Sequence, residues 1–183
     1  MTSKKKSQFT IRPAQATDIA NCLALDHGLE TATIWQMQRR EEGDLQQITF
    51  QTLRLPRPIR VEYPRHPDTI RLDLAPLNGV LVAEAEGVIL GYTHVVIDKS
   101  DRGAWVRHLV VDIPYRRHRI GRTLLEQAKV WAHLQGANHI TLETTPRSYP
   151  AIRFLLDRGF LFCGFNERYF PSQDIAIFFG QNL

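Results

Sequence analysis

The stretch YRRHRIGRTLLEQAKVWA, residues 115 to 132, crowds Arg116, Arg117, His118, Arg119 and Arg122 against the start of an amphipathic pattern. Helix N-termini present unpaired N–H groups and the positive end of the macrodipole, so they favour Asp, Glu, Ser or Thr. This first turn has no acidic residue and no side-chain cap, which costs a helix about 1 kcal/mol in lost capping and dipole repulsion. An external anion would remove the cost. Unpaired amides, a Gly121 that admits close approach and guanidinium groups alongside are the chemistry of a phosphate or pyrophosphate site. Neither G-x-G-x-x-G nor G-K-[ST] precedes it, so the anion has to be read from context.

The elements that must hold this loop can be read from periodicity. Phe9 to Ala14 alternates like a short strand, and Thr17 or Asp18 then caps a helix through Ile19 and Leu23 that stops at Gly28. Ile34, Trp35 and Met37 give a second helical piece over 31–43, and residues 45–55 alternate as a strand until Pro56. From Pro56 to Pro76 the prolines 56, 58, 64, 67 and 76 predict a loop with an extended piece at 57–63, long enough to serve as a substrate lid. Residues 79–98 form a hairpin turning at Glu86-Gly87, and 103–112 a further strand. A helix over 119–135 with Ile120, Leu124, Ala128 and Trp131 on one side ends at Gly136. A strand at 139–145, a helix at 148–159 and strands at 160–170 and 174–179 complete the order β-α-α-β-β-β-β-α-β-α-β-β, a mixed α/β sheet.

At 183 residues the chain is expected to form one domain over 8–183, behind a disordered basic tail at 1–7. No apolar run reaches the roughly 18 residues of a membrane span, and nothing resembles a signal peptide, so a cytoplasmic protein with no membrane partner is expected. Cys22 and Cys163 have no metal-ligand spacing and read as free buried thiols; no metal is expected. The net charge of +4, part of it in Lys4, Lys5 and Lys6, argues only weakly for nucleic acid.

The context of the loop resembles the central motif of the GNAT N-acetyltransferase superfamily. Val111-Asp112, Tyr115-Arg116, Gly121 and Leu124-Leu125 stand in its register, with Arg119 where the first loop glycine belongs. SYPAIRFLLDRGF resembles the later motif N-x-x-A-x-x-x-Y-x-x-x-G-F: Ala151, Gly159 and Phe160 match, while Ser148 replaces the Asn and Leu155 the Tyr. LETT, GFLFCGFN and DIAIFF are similar to the streptothricin acetyltransferase branch. The resemblance runs from Val80 to Phe179, and residues 30–78 have no placed counterpart.

The resemblance implies a GNAT fold, a mixed and mostly antiparallel twisted sheet flanked by helices, that transfers acetyl from acetyl-CoA directly to a primary amine. It implies that Arg116, Arg117, His118, Arg119, Ile120, Gly121, Arg122 and Thr123 hold the pyrophosphate. The strand backbone at Leu109, Val110 and Val111 would polarise the thioester, and Ser148, Ala151 and Leu155 would line the pantetheine arm. Arg119 keeps its N–H for this purpose at ordinary φ and ψ, whereas a positive φ would strain it. His108 and Glu143 are the candidate bases, each also readable as an ordinary strand residue. With Leu155 unable to donate a proton, Tyr149, Tyr169 or water must protonate the thiolate. Trp35, Arg54, Arg57 and Tyr63 are candidate lining for the acceptor, and a monomer or homodimer is expected. Two other readings stand beside this one: a non-catalytic CoA-binding or sensing module, suggested by Arg119, Ser148 and Leu155, and a basic nucleic-acid-binding domain, disfavoured by the motifs.

Overall fold

The computed structural model describes residues 9–183, so the expected basic tail lies outside the described residues. In chain order the elements are β1 (Thr10–Pro13), α1 (Asp18–Ala24), β2 (Leu29–Glu42), β3 (Leu45–Val61), α2 (Pro67–Leu74), β4 (Val80–Ala85) and β5 (Val88–Asp98). There follow β6 (Gly103–Val111), a 3-10 turn (Ile113–Tyr115), α3 (Ile120–Leu134), β7 (His139–Thr144), α4 (Tyr149–Leu156), β8 (Leu161–Asn166) and β9 (Ala176–Asn182). The class is the expected one, a mixed and mostly antiparallel sheet flanked by helices. Two compact units are present: the chain up to His27 with His66–Thr141 and Asn182–Leu183, and Gly28–Arg65 with Leu142–Gln181.

In the first unit β1, β4, β5 and β6 lie side by side in antiparallel pairs. The β4–β5 hairpin turns at Glu86 and Gly87 with φ of 52° and 79°, the double left-handed turn that matches strand twist. Leu124, Leu125, Ala128 and Ala132 of α3 are fully buried, and Ile120 and Leu124 pack on Leu81, Ala83 and Leu90 of the sheet. Burying a leucine side chain contributes about 1.5–3 kcal/mol, which is how the stripe read at three- and four-residue steps fixes the helix and the direction of its N-terminus. Gly79 (φ 72°) leads into β4 because a Cβ there would stand 2.0 Å from the Val95 carbonyl oxygen. Opposite the His94 to Val95 step, β6 carries an extra residue, Arg107, which bulges the strand beside His108.

In the second unit β9 lies between β7 and β8, and β2 pairs with β3. Here the structure corrects two expectations. The segment at 31–43 is not a helix but most of β2: Thr31, Thr33, Trp35 and Met37 recur at steps of two, and the alternate Gln36 and Gln38 are exposed. Trp35 sits 5.9 Å from Phe50, 6.3 Å from Phe162 and 6.0 Å from Phe179, centroid to centroid, a cluster whose burial outweighs the helix propensity of Gln, Met, Arg and Glu.

The stretch 56–76 is likewise not a loop. β3 runs through Pro56 and Pro58 because the register jumps from Thr33 opposite Arg54 to Thr31 opposite Ile59, so both prolines fall where no ladder hydrogen bond is made. α2 then starts at Pro67, where the missing N–H is no loss, with the His66 ring accepting from the Asp68 amide at 3.3 Å. Ile70 and Leu74 are its buried face.

Candidate active site

The β6–α3 connection is built as follows. Asp112 caps the 3-10 turn, its Oδ1 accepting from the amides of Ile113 at 3.1 Å and Asp26 at 3.0 Å. Arg116 turns inward: its amide donates to the Ile113 carbonyl at 3.2 Å, Nε to the Val111 carbonyl at 2.7 Å and Nη2 to that of Asp26 at 2.9 Å. Its guanidinium ties the end of β6 to the end of α1. His118 Nδ1 lies 2.9 Å from the Arg116 carbonyl and bends the loop back on itself.

Arg117 and Arg119 then adopt left-handed backbone, with φ of 69° and 67°. Arg119 is the N-cap of α3 and has no side-chain cap bond. Thr123 does not cap either, since its Oγ1 donates to the Arg119 carbonyl at 3.2 Å. The amides of residues 117 to 122 find no hydrogen-bond acceptor among the described residues, whereas that of Thr123 makes the first helical bond, to Arg119 at 3.0 Å. The position of Arg119 thus does require positive φ, and arginine occupies it at a cost of about 1 kcal/mol. Strain, absent capping and exposed guanidiniums on Arg117, Arg119 and Arg122 coincide in one loop.

His108 is fully buried, with Nε2 2.9 Å from Oδ2 of Asp73 on α2. Its ring stacks on that of His94 (centroids 6.0 Å apart, planes at 20°) and lies 6.1 Å from that of Tyr92. Tyr92 Oη is 2.9 Å from His27 Nε2. Burial lowers the pKa of His94 and of His27. Sequence reasoning missed Asp73 because it lay inside the proline-rich segment; the signal was the Pro67-Asp68 helix start with Ile70 and Leu74 one turn apart.

In the second unit Glu143 is ion-paired with Arg65, their side chains only 3% and 9% exposed. The Arg65 guanidinium also lies over Tyr169 and Phe170, 5.7 and 5.5 Å from the ring centroids. Arg65 has no counterpart in the sequence reading; a lone arginine before a proline run carries no signal. Ser148 is the buried N-cap residue of α4, with Oγ 3.2 Å from Thr145 Oγ1. Tyr149 opens the helix half-buried, Ala151 is half-buried, and Leu155 is buried in the core. Trp35 belongs to the aromatic cluster, and Arg54 and Arg57 are exposed on β3. Of the thiols, Cys22 is buried, which pushes its pKa up to about 12, while Cys163 is exposed on β8, against the expectation of burial.

The model of the acetyltransferase (GNAT) family matches residues 44–160. The chain belongs to that family. It is an acetyl-CoA-dependent N-acetyltransferase, and the match takes in β3 and α2, where no motif could be placed. It is 24% identical over 172 residues to streptothricin acetyltransferase of Streptomyces lavendulae, covering 91% of this chain and 89% of the relative. Among solved structures, nourseothricin acetyltransferase superposes with a TM-score of 0.80 at 24% identity over 95% of this chain and 98% of its own. A Bacillus anthracis protein assigned as a streptothricin acetyltransferase, solved with acetyl coenzyme A, superposes with a TM-score of 0.75 at 19% identity over 98% and 99%.

Proposed function

We propose that this N-acetyltransferase moves the acetyl group of acetyl-CoA directly to a primary amine of a small molecule or peptide, with the β6–α3 loop as its pyrophosphate site. The observation that carries the reading is the row of amides from 117 to 122 without an acceptor among the described residues, at a helix start that no side chain caps. Two phosphoryl groups supply the missing cap and the negative charge that the dipole favours. Arg117, His118, Arg119, Ile120, Gly121 and Arg122 present amides, and Thr123 the first helical turn.

The amine lone pair attacks the thioester carbonyl carbon, the C–N bond forms, the C–S bond breaks and the CoA thiolate departs. Backbone groups at Leu109, Val110 and Val111, next to the bulge at Arg107, are suited to polarise the carbonyl oxygen. An amine of pKa about 10.4 is almost wholly protonated at neutral pH, so a base must take its proton. We assign that role to His108, whose ring is held by Asp73 through Nε2 at 2.9 Å, leaving Nδ1 as the accepting nitrogen. Glu143 is assigned to hold Arg65 through their buried ion pair.

Thermal denaturation with and without millimolar CoA tests the loop. A ligand at 100 times its Kd stabilises by about 2.7 kcal/mol, so a clear rise in Tm is expected and its absence removes the assignment. Gly121→Val should abolish the rise. Thiol release from acetyl-CoA across a panel of primary amines tests the transfer.

A further inference from the structure

A cavity of about 410 Å³ opens in the first unit beside the end of α2, within the roughly 300–1,000 Å³ of small-molecule sites. Its lining includes Leu72 and Asp73 of α2, Asn78 before β4, His94 and Val96 of β5, Lys99 just beyond that strand and Gln135 at the end of α3. None of residues 116–123 lines it, so the cavity is separate from the loop before α3. His94 is only 6% exposed, yet its Nδ1 is buried with no hydrogen-bond partner among the described residues. Burying a polar atom in this way costs its desolvation, and a ligand that supplies the missing partner offsets that cost.

The other polar side chains of the cavity are open as well. Asp73 accepts from His108 through Oδ2 and makes no hydrogen bond through Oδ1 among the described residues. Lys99 forms no ion pair there, and the side-chain amides of Asn78 and Gln135 make no hydrogen bond among the described residues. Asp73 and Lys99 thus present opposite charges to one cavity without neutralising each other. A ligand with a single charge is attracted by one of them and repelled by the other. A zwitterion satisfies both, its ammonium on the Asp73 carboxylate and its carboxylate on the Lys99 ammonium. Leu72, 73% exposed, and Val96, 43% exposed, add apolar surface that a hydrocarbon side chain would cover.

We infer that this cavity is a binding site for a zwitterionic α-amino acid with an apolar side chain, held at its two charged ends by Asp73 and Lys99. The site does not depend on the coenzyme loop, and its test needs no acetyl-CoA. Calorimetric titration of the full chain with L-leucine, isopentylamine and isocaproate compares the zwitterion with the same hydrocarbon carrying one charge. L-Leucine is expected to bind, and each singly charged analogue to bind at least about tenfold more weakly, the loss of one hydrogen bond between charged groups. Lys99 is exposed, so Lys99→Met should fold. In that variant L-leucine should bind about tenfold more weakly, while isopentylamine, which has no carboxylate for Lys99 to meet, stays within about twofold. Absence of L-leucine binding at millimolar concentration overturns the site. Equal affinity for all three probes overturns the recognition of both charges. Wild-type affinity for L-leucine in Lys99→Met overturns the placement of the ligand.

Discussion

His108 on β6 points Nε2 at Oδ2 of Asp73 on α2, 2.9 Å away, and only the carboxylate end of the pair reaches solvent. A carboxylate accepts, so the ring nitrogen facing it carries the proton. For a base this arrangement fixes the ring and favours the imidazolium that proton transfer creates. His108→Asn is expected to lower kcat by about 100-fold, within the range for loss of a general base, while CoA affinity stays within about twofold. Asp73→Asn should lower kcat less. Unchanged kcat in a folded His108 variant would leave the pair with a purely structural role.

Arg65 and Glu143 make a different kind of pair. Both side chains are almost wholly covered, and the guanidinium is stacked over Tyr169 and Phe170. Removing one partner strands the other charge, which costs about 3–5 kcal/mol, whereas replacing both with apolar groups is often neutral. Glu143→Ala should therefore sharply lower the urea midpoint, and Arg65→Met with Glu143→Leu should recover most of it. Additive losses in this cycle would show that the two do not act as a pair.

Legibility in the sequence followed how local the determinant was. The β4–β5 turn could be read because Glu86-Gly87 meets a requirement of its own two residues, positive φ at both. The α3 stripe could be read because Ile120, Leu124 and Ala128 repeat within one element. β2 could not, since its residues prefer helix and are held extended by β3 and by Phe162 and Phe179, far along the chain. Pro56 and Pro58 signalled a break in the ladder, and the break is there, but only the register jump shows that the strand resumes beyond it. At the site the uncapped, arginine-rich helix start was visible from residue types alone. The inward turn of Arg116, the pairing of Asp73 with His108 and the Arg65 clamp on Glu143 each need a second segment, and only the α2 helix start left a local trace.

Stability should fall on the acid side of neutrality. Burial lowers the pKa of His94, with Asp73 pulling it up and Arg107 down, and burial likewise lowers that of His27. Below the ordinary value of 6.5 the unfolded chain binds these protons more readily than the folded one, so stability rises with pH in that window. The contribution is complete above pH 6.5 and is lost as pH falls, by at most about 1.4 kcal/mol per pH unit for each imidazole. Asp18, held low by its hydrogen bond from Arg12, acts only below its ordinary 3.8 and does not interfere. The urea midpoint of the wild type should be lower at pH 5.5 than at pH 7.5. His94→Phe also removes a buried Nδ1 that has no partner, so it should flatten the dependence and hold or raise stability at the lower pH.

The sharpest check on the loop itself is conformational. Arg119 sits at φ 67° and ψ 0°, where a residue with a Cβ is strained by about 1 kcal/mol or more. Glycine relieves the strain but gives back about 0.5–1 kcal/mol through the entropy of the unfolded chain, so Arg119→Gly should leave Tm unchanged or slightly raised. A β-branched side chain is disfavoured further at positive φ, and Arg119→Val should lose about 1–2 kcal/mol, or roughly 2–8 °C in Tm. The glycine variant keeps the N–H at 119 and should still be stabilised by CoA. A marked loss of stability in Arg119→Gly without ligand would mean that the guanidinium supports the fold, and the strain would then need a structural explanation instead of a ligand.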